Sequence, residues 1–437
     1  MRMKCAFSFY LLMAMGIALP HRAQTGPELT RWRINPGGVT GFNSLSANVT
    51  SVRYSANFVY PASTGIPDFT IGPWPSNPNT AGTQTWLFKI PRNPAAASGT
   101  HTATSLGAMA ILINGVPLYN ALDGRSYNNL NVWHSNAVVV EAVSFDAVLG
   151  HPDMGSRYHH HQNPVGLHSV NAGAHSPLLG YAFDGYPIYG PYGYSAVNGT
   201  GGIRRMRSSY EKRVITQRHT LASGTVLASG QWGPDVSATY PLGYYAEDYQ
   251  YTAALGDLDQ YNGRFCVTPD YPAGIYAYFT TIDSTGASEY PYVIGPTYYG
   301  VIAPENVSTG GHVTIAEAVS TYTPQTGLGQ VPDTLTVTKK TGSDLEITWN
   351  LGCSAKAIDY AVYEGTLGQW YSHGAISCAE TTRYLKHDFS PAAGSRYYLI
   401  VPVNGSAEGS YGQTGAGTEI PGGTGACKVT RSFGGCS

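Results

Sequence analysis

Ile113-Asn-Gly-Val-Pro-Leu-Tyr119 returns later in the chain as Phe183-Asp-Gly-Tyr-Pro-Ile-Tyr189. Each version sets an Asn-Gly or Asp-Gly pair between apolar and aromatic residues. The glycine supplies the positive φ that a tight turn requires, so the flanks are expected to be the strand ends of a hairpin. A looser echo joins Gly155-Ser-Arg-Tyr-His-His-His161 to Gly274-Ile-Tyr-Ala-Tyr-Phe279. The copies are irregularly spaced, which argues against a solenoid and for one domain built from duplicated units. The expected fold class is mainly β: an N-terminal β domain with duplicated units, followed by a small C-terminal β-sandwich.

Composition points the same way. Charged residues make up only 12%, against 53 Gly, 28 Pro and 33 Tyr in 437 residues, which suits strands joined by structured turns rather than helices. The net charge of -2 offers no electrostatic handle for nucleic acid or an anionic membrane. At the N-terminus, Arg2 and Lys4 precede an apolar run from Cys5 to about Leu19 and a polar stretch at residues 20–24. This order predicts a signal peptide over residues 1–23, cleaved after Ala23, and a secreted or periplasmic protein. The run falls short of the ~18–20 apolar residues that span a bilayer, and no later segment is apolar enough to do so.

The remaining chain divides into a β domain at 24–302, a Thr/Gly/Pro-rich linker at 303–333, a sandwich at 334–420 and a Gly/Cys tail at 421–437. Leu335-Thr-Val-Thr338 and Asp344-Leu-Glu-Ile-Thr-Trp349 alternate apolar and polar residues around Thr341-Gly-Ser343, and residues 357–363 and 397–403 alternate likewise. This segment resembles a fibronectin type III-like module, which implies a spacer or adhesive unit and a surface glycan or protein as its partner. In an oxidising compartment neighbouring cysteines pair. The expected bridges are Cys353–Cys378 and Cys427–Cys436, with Cys266 left as a buried thiol.

Six of the thirteen histidines, His151, His159, His160, His161, His168 and His175, fall within 25 residues. Gly155 and Pro164 bound a short strand containing residues 158–161. Side chains alternate along a strand, so His159 and His161 share one face and Tyr158 and His160 the other. Two imidazoles at i and i+2 begin a metal site, and His151 and His175 are expected to complete it. The competing readings are a hydrogen-bonded structural cluster and an exposed tract that picks up metal without function.

These residues closely resemble the YHYH-domain family of exported bacterial proteins. The resemblance rests on Trp133-His-Ser-Asn-Ala137, Gly150-His-Pro152, residues 155–161 and the long block from His175 to Tyr194. It continues through Leu255-Gly-Asp-Leu-Asp259, Asn262-Gly263, residues 274–279 and Tyr290-Pro-Tyr-Val-Ile-Gly295, and covers roughly residues 100–300. The family's activity is poorly defined. Its signature tetrapeptide has Tyr at the third position, where this chain has His160, on the face away from the expected ligands. In the later echo Ala277 and Phe279 stand where His159 and His161 would be, so a single site is expected.

Glu141, Asp146 and Asp153 are carboxylates near enough in sequence to act as an oxygen ligand or general base. Tyr158, His160, Asp184, Tyr186 and Tyr189 are expected around the site or in a cleft, within an aromatic stretch that includes Tyr181, Tyr192 and Tyr194. Asp257-Leu-Asp259 with Asn262-Gly263 is better read as a turn than as a calcium loop. The expected function is an exported metal-binding protein holding copper or zinc, Met154 tilting the choice towards copper. The alternatives are a metal-free carbohydrate- or cell-surface-binding module, and a metal-dependent hydrolase or oxidase.

Overall fold

The computed structural model describes residues 26–35, 38–323, 327–331, 335–349, 357, 359–378, 386–415, 417–423 and 425–433. The expected signal peptide lies outside them. The fold is mainly β, as anticipated. Its centre is an eight-stranded sheet in the order Gly263–Thr268, Tyr271–Phe279, Pro187–Tyr189, Leu178–Ala182, Ala108–Leu112, Pro117–Tyr119, Tyr158–His160, Gly150–Pro152.

The two repeated phrases are the turns of the two central hairpins. Gly115 and Gly185 adopt φ of 82° and 86°. Asn114 Oδ1 accepts from the Val116 N–H, and Asp184 Oδ1 from the Tyr186 N–H, both at 3.2 Å. The hairpins pair back to back, Gly180 opposite Leu112. A Cβ on Gly180 would lie 2.3 Å from the Ile111 carbonyl oxygen, so only glycine permits this approach. Each hairpin then takes a parallel strand, with His160 opposite Leu118 in one half and Tyr278 opposite Ile188 in the other. Each parallel strand takes an antiparallel outer strand, with Gly150 opposite His160 and Gly263 opposite Tyr278. The sheet is thus one four-stranded unit used twice.

The duplication extends to a turn that the sequence hides. Asp146 Oδ1 accepts from the Gly150 N–H at 3.0 Å, and Asp259 Oδ1 from the Gly263 N–H at 3.2 Å. The residues before these glycines, Leu149 and Asn262, both take a left-handed conformation, φ 65° and 64°. Tyr158 Oη donates to Asp146 and Tyr276 Oη to Asp259. A Cβ on Gly150 or Gly263 would stand 2.2 or 2.4 Å from those hydroxyls.

A second sheet of five strands, built on Val49–Tyr54 and Phe58–Ser63, shares one apolar core with the central sheet. Its outer strand, Ser320–Tyr322, pairs with Val49–Tyr54 and comes from the segment expected as linker. Within the same segment Asn306 exchanges hydrogen bonds with the Lys89 backbone, at 2.7 Å each way. From Leu328 onward the contacts change: its N–H donates to the Ser432 carbonyl, and the Ser410 N–H donates to Gly329.

The C-terminal strands form a sheet of three, Thr336–Lys339, Leu345–Thr348 and Lys386–Phe389, and a sheet of five centred on Asp359–Thr366 and Arg396–Val403. Ile347 and Trp349 meet Tyr360, Val362 and Ile400 in a buried cluster between them. The expected disulfide pattern is corrected here. Cys378 bonds to Cys427, because residue 427 is held beside the end of strand Gly374–Ser377: its N–H donates to Tyr363 Oη at 2.9 Å and its Sγ approaches the Ser377 carbonyl. Cys353 and Cys436 lie outside the described residues. Cys266 is a buried free thiol, as anticipated. Among the described residues no helix is long and apolar enough to cross a membrane.

Two outcomes are expected. Mass spectrometry of a non-reduced digest recovers the 378–427 crosslink, and a Cys378–Cys353 peptide would contradict it. A chain ending at residue 323 melts higher than one ending at residue 301, because the shorter one loses strand Ser320–Tyr322 and the Asn306 clamp. Equal melting temperatures would show that these contacts contribute little.

Candidate metal centre

The site begins with strand alternation. His159 lies directly across from His151 in the antiparallel pair of Tyr158–His160 with Gly150–Pro152. His161, two residues on, returns to the same face. The three rings converge, their ligand atoms all within 4.8 Å of one another. His159 Nε2 is 3.1 Å from His151 Nε2 and 3.1 Å from His161 Nε2.

The other ring nitrogens fix the proton positions. His159 Nδ1–H donates to the Arg157 carbonyl at 2.9 Å, and His161 Nδ1–H to the Asn120 carbonyl at 2.6 Å. A carbonyl only accepts, so both protons sit on Nδ1. Ser144 Oγ already donates to the Glu141 carbonyl at 2.8 Å, so it accepts from His151 Nδ1–H at 2.7 Å. Three Nε2 lone pairs therefore face one another with no proton between them. Metal-ligating histidines show this arrangement, with the far N–H anchored on oxygen and the near nitrogen bare.

The three nitrogens form a group that could hold a metal ion, and a proton is poorly suited to it. Burial first, and then the neighbouring imidazoles, hold His151 at about 3, and burial holds His161 at about 4. Glu141 brings a carboxyl group to the site. Its Oε2 stands 3.5 Å from His161 Nε2 and 3.8 Å from His151 Nε2, and is buried without a hydrogen-bond partner among the described residues. Burial, with Asp123 adding to it, raises this carboxyl to about 7. Tyr119 stacks on His159 at 3.8 Å between centroids, and Phe145 packs on His151 at 4.5 Å.

The remaining expected residues are placed as follows. Tyr158 and His160 occupy the opposite face. His160 Nδ1 donates to the Leu149 carbonyl, and its buried Nε2 has no partner among the described residues. His175 does not join the triad. Its ring lies among Tyr189, Tyr194 and Phe279 at the other half of the sheet, because residue 175 leads into strand Leu178–Ala182, across the hairpins from the 158–161 segment. Asp184 is fully buried in the second hairpin turn, accepting from Tyr278 Oη at 2.6 Å and from the Gly300 N–H. Tyr186 packs on Tyr276 and Tyr299, and Tyr189 Oη donates to Asp270. These residues belong to the duplicate half, away from the triad. Asp146 serves the opposite face, and Asp153 holds Arg157 and the Tyr119 hydroxyl. Met154 is 93% exposed at the hairpin tip and does not enter the site.

Register identifies what the duplicate half places at the corresponding positions: Arg264 for His151, Ala277 for His159 and Phe279 for His161. Sequence reasoning missed Ser144, Asn120, Tyr119 and Phe145. Tyr119 closes the first repeated phrase and could have been found by following that phrase to its end.

Residues 87–290 match the family model described as YHYH protein, which supports the resemblance read from the sequence. No curated protein and no solved structure gives a significant match.

Burial lowers six imidazoles: His151 to about 3, His160, His161, His168 and His175 to about 4, and His159 well below its ordinary range. Unfolded imidazoles take up protons near pH ~6.5 while the folded ones stay neutral, so acid favours unfolding. Stability of the metal-free protein is therefore full above that pH and falls as pH drops towards 4. Melting curves across this range are expected to decline steeply, and a flat profile would refute the buried neutral cluster.

Proposed function

We propose that this YHYH-domain chain is an exported metal-binding protein that holds zinc or copper(II) on His151, His159 and His161, with Glu141 as the fourth ligand. The observation that carries the reading is the set of three anchored imidazoles with bare, converging Nε2 atoms. Ligands about 2.0–2.1 Å from a tetrahedral ion are about 3.3 Å apart. Four of the six separations among the three Nε2 atoms and Glu141 Oε2, at 3.1, 3.1, 3.5 and 3.8 Å, lie on either side of that value, and the three histidine ligand atoms all fall within 4.8 Å of one another. Three imidazoles and a carboxylate suit a borderline ion, and with Met154 exposed no thioether favours copper(I).

A bound ion would act there as a Lewis acid. The chain's own part is to hold three rings in one tautomer, shield them with Tyr119 and Phe145, and supply one carboxylate. With Glu141 in the fourth position the shell is closed, which favours holding or delivering the ion over hydrolysis or oxidation. The N-terminal signal pattern and the Cys378–Cys427 disulfide support export. The C-terminal sandwich, read as fibronectin type III-like, would tether the site to a surface or partner.

Elemental analysis of untagged protein is expected to find one ion per chain. His159→Ala and His161→Ala lose it, His160→Tyr keeps it, and Glu141→Gln binds at least about tenfold more weakly. Equal losses at His159 and His160 would defeat the site as described.

A further inference from the structure

The segment Trp133-His-Ser-Asn-Ala137 carries part of the family resemblance and plays no part in the metal centre. It opens onto a cleft of about 770 Å³, within the range of small-molecule sites, lined by Tyr210, Tyr249, Tyr251, Tyr290, His134 and Glu247 among others. The aromatic wall is pre-formed. Tyr249 lies flat on Tyr290, with centroids 4.1 Å apart and planes 7° apart, and Tyr210 meets Tyr290 edge-on at 5.4 Å. Tyr251 pairs across from Tyr210 on neighbouring strands and is 36% exposed.

The polar contribution is equally fixed. Glu247 Oε2 accepts from the His134 backbone N–H at 2.7 Å, and Oε1 from His134 Nδ1–H at 2.6 Å. One carboxylate thus locks both the ring orientation and the tautomer. His134 Nε2 is left without a protein partner among the described residues, on a side chain 26% exposed in the cleft wall. Gln250, whose amide donates to Glu211 at 3.3 Å, is in the same lining. Apart from tyrosines, His134 and Glu247 are the ionisable groups among the described lining residues, and they are paired with each other.

We propose that this cleft is a second ligand site, distinct from the histidine triad although Asn120 in its lining also anchors His161, and that it takes a neutral pyranose unit of a glycan. Sugar rings offer apolar C–H faces to tyrosine and hydroxyls to planar polar groups such as an imidazole nitrogen and an amide. With Glu247 committed to His134, no free cationic group stands among the described lining residues to select an anion. Tyr251 and Tyr210 supply the stacking faces, and His134 Nε2 with Gln250 supplies the hydrogen bonds.

Saturation-transfer NMR on the full chain with cellobiose, N,N′-diacetylchitobiose and digalacturonate tests this. At least one neutral disaccharide is expected to bind, and digalacturonate to bind more weakly. Tyr251→Ala, a change at a partly exposed ring, and His134→Gln each weaken binding by at least about tenfold. Chelation of bound metal leaves affinity within about twofold, which separates this site from the triad. The proposal is overturned if neither neutral sugar binds, if digalacturonate binds as well as they do, if both variants bind like the parent, or if the chelator abolishes binding.

Discussion

The Nδ1–H groups of His159 and His161 are committed to the carbonyls of Arg157 and Asn120, and much of the surrounding structure follows from that commitment. The two backbone oxygens flank the strands Tyr158–His160 and Pro117–Tyr119, and turning either ring to relieve the contact between the Nε2 atoms would break its Nδ1–H bond. Tyr119 and Phe145 pack on the rings, which are buried. The residual choice is between protonation and coordination. Burial weighs against the first by disfavouring a charged imidazole. A buried carboxyl oxygen with no hydrogen-bond partner among the described residues, Glu141 Oε2, weighs for the second.

The glycines at 150 and 263 show how the sheet tolerates this. Each lets a tyrosine hydroxyl reach an aspartate through the space where a side chain would stand. The opposite face of the 158–160 strand is thereby anchored by Tyr158 and Asp146, which holds the ligand face in register. The same scaffold in the other half carries Arg264, Ala277 and Phe279 in place of imidazoles. The scaffold is thus separable from the site it presents.

Much of this was legible in the residues themselves. The Asn-Gly and Asp-Gly phrases marked both central hairpins because glycine's left-handed φ leaves a chemical trace. Alternation placed His159 and His161 on one face and His160 on the other because period two needs no tertiary information. His175 was misplaced because nearness in sequence says nothing about which half of a duplicated sheet a segment joins. The role of Ser320–Tyr322 was hidden because an edge strand on the domain's outer sheet needs few apolar residues. The disulfide went astray for a related reason: loop closure depends only weakly on length, so the shorter loop has little advantage over the one that geometry permits.

Strand Gly150–Pro152 is the last strand of the eight, three residues long, and beyond its one neighbour it is covered partly by Asn77, whose amide donates to the Pro152 carbonyl. An ion held by His151 on this strand and by His159 and His161 on the next would rivet the sheet's margin. Without it, a strand this short is the first to fray, and fraying would bare the hydrogen-bonding edge of Tyr158–His160 to any other extended chain. Metal supply would then govern more than ligand occupancy: it would decide whether the sheet ends in a sealed border or in a template for aggregation.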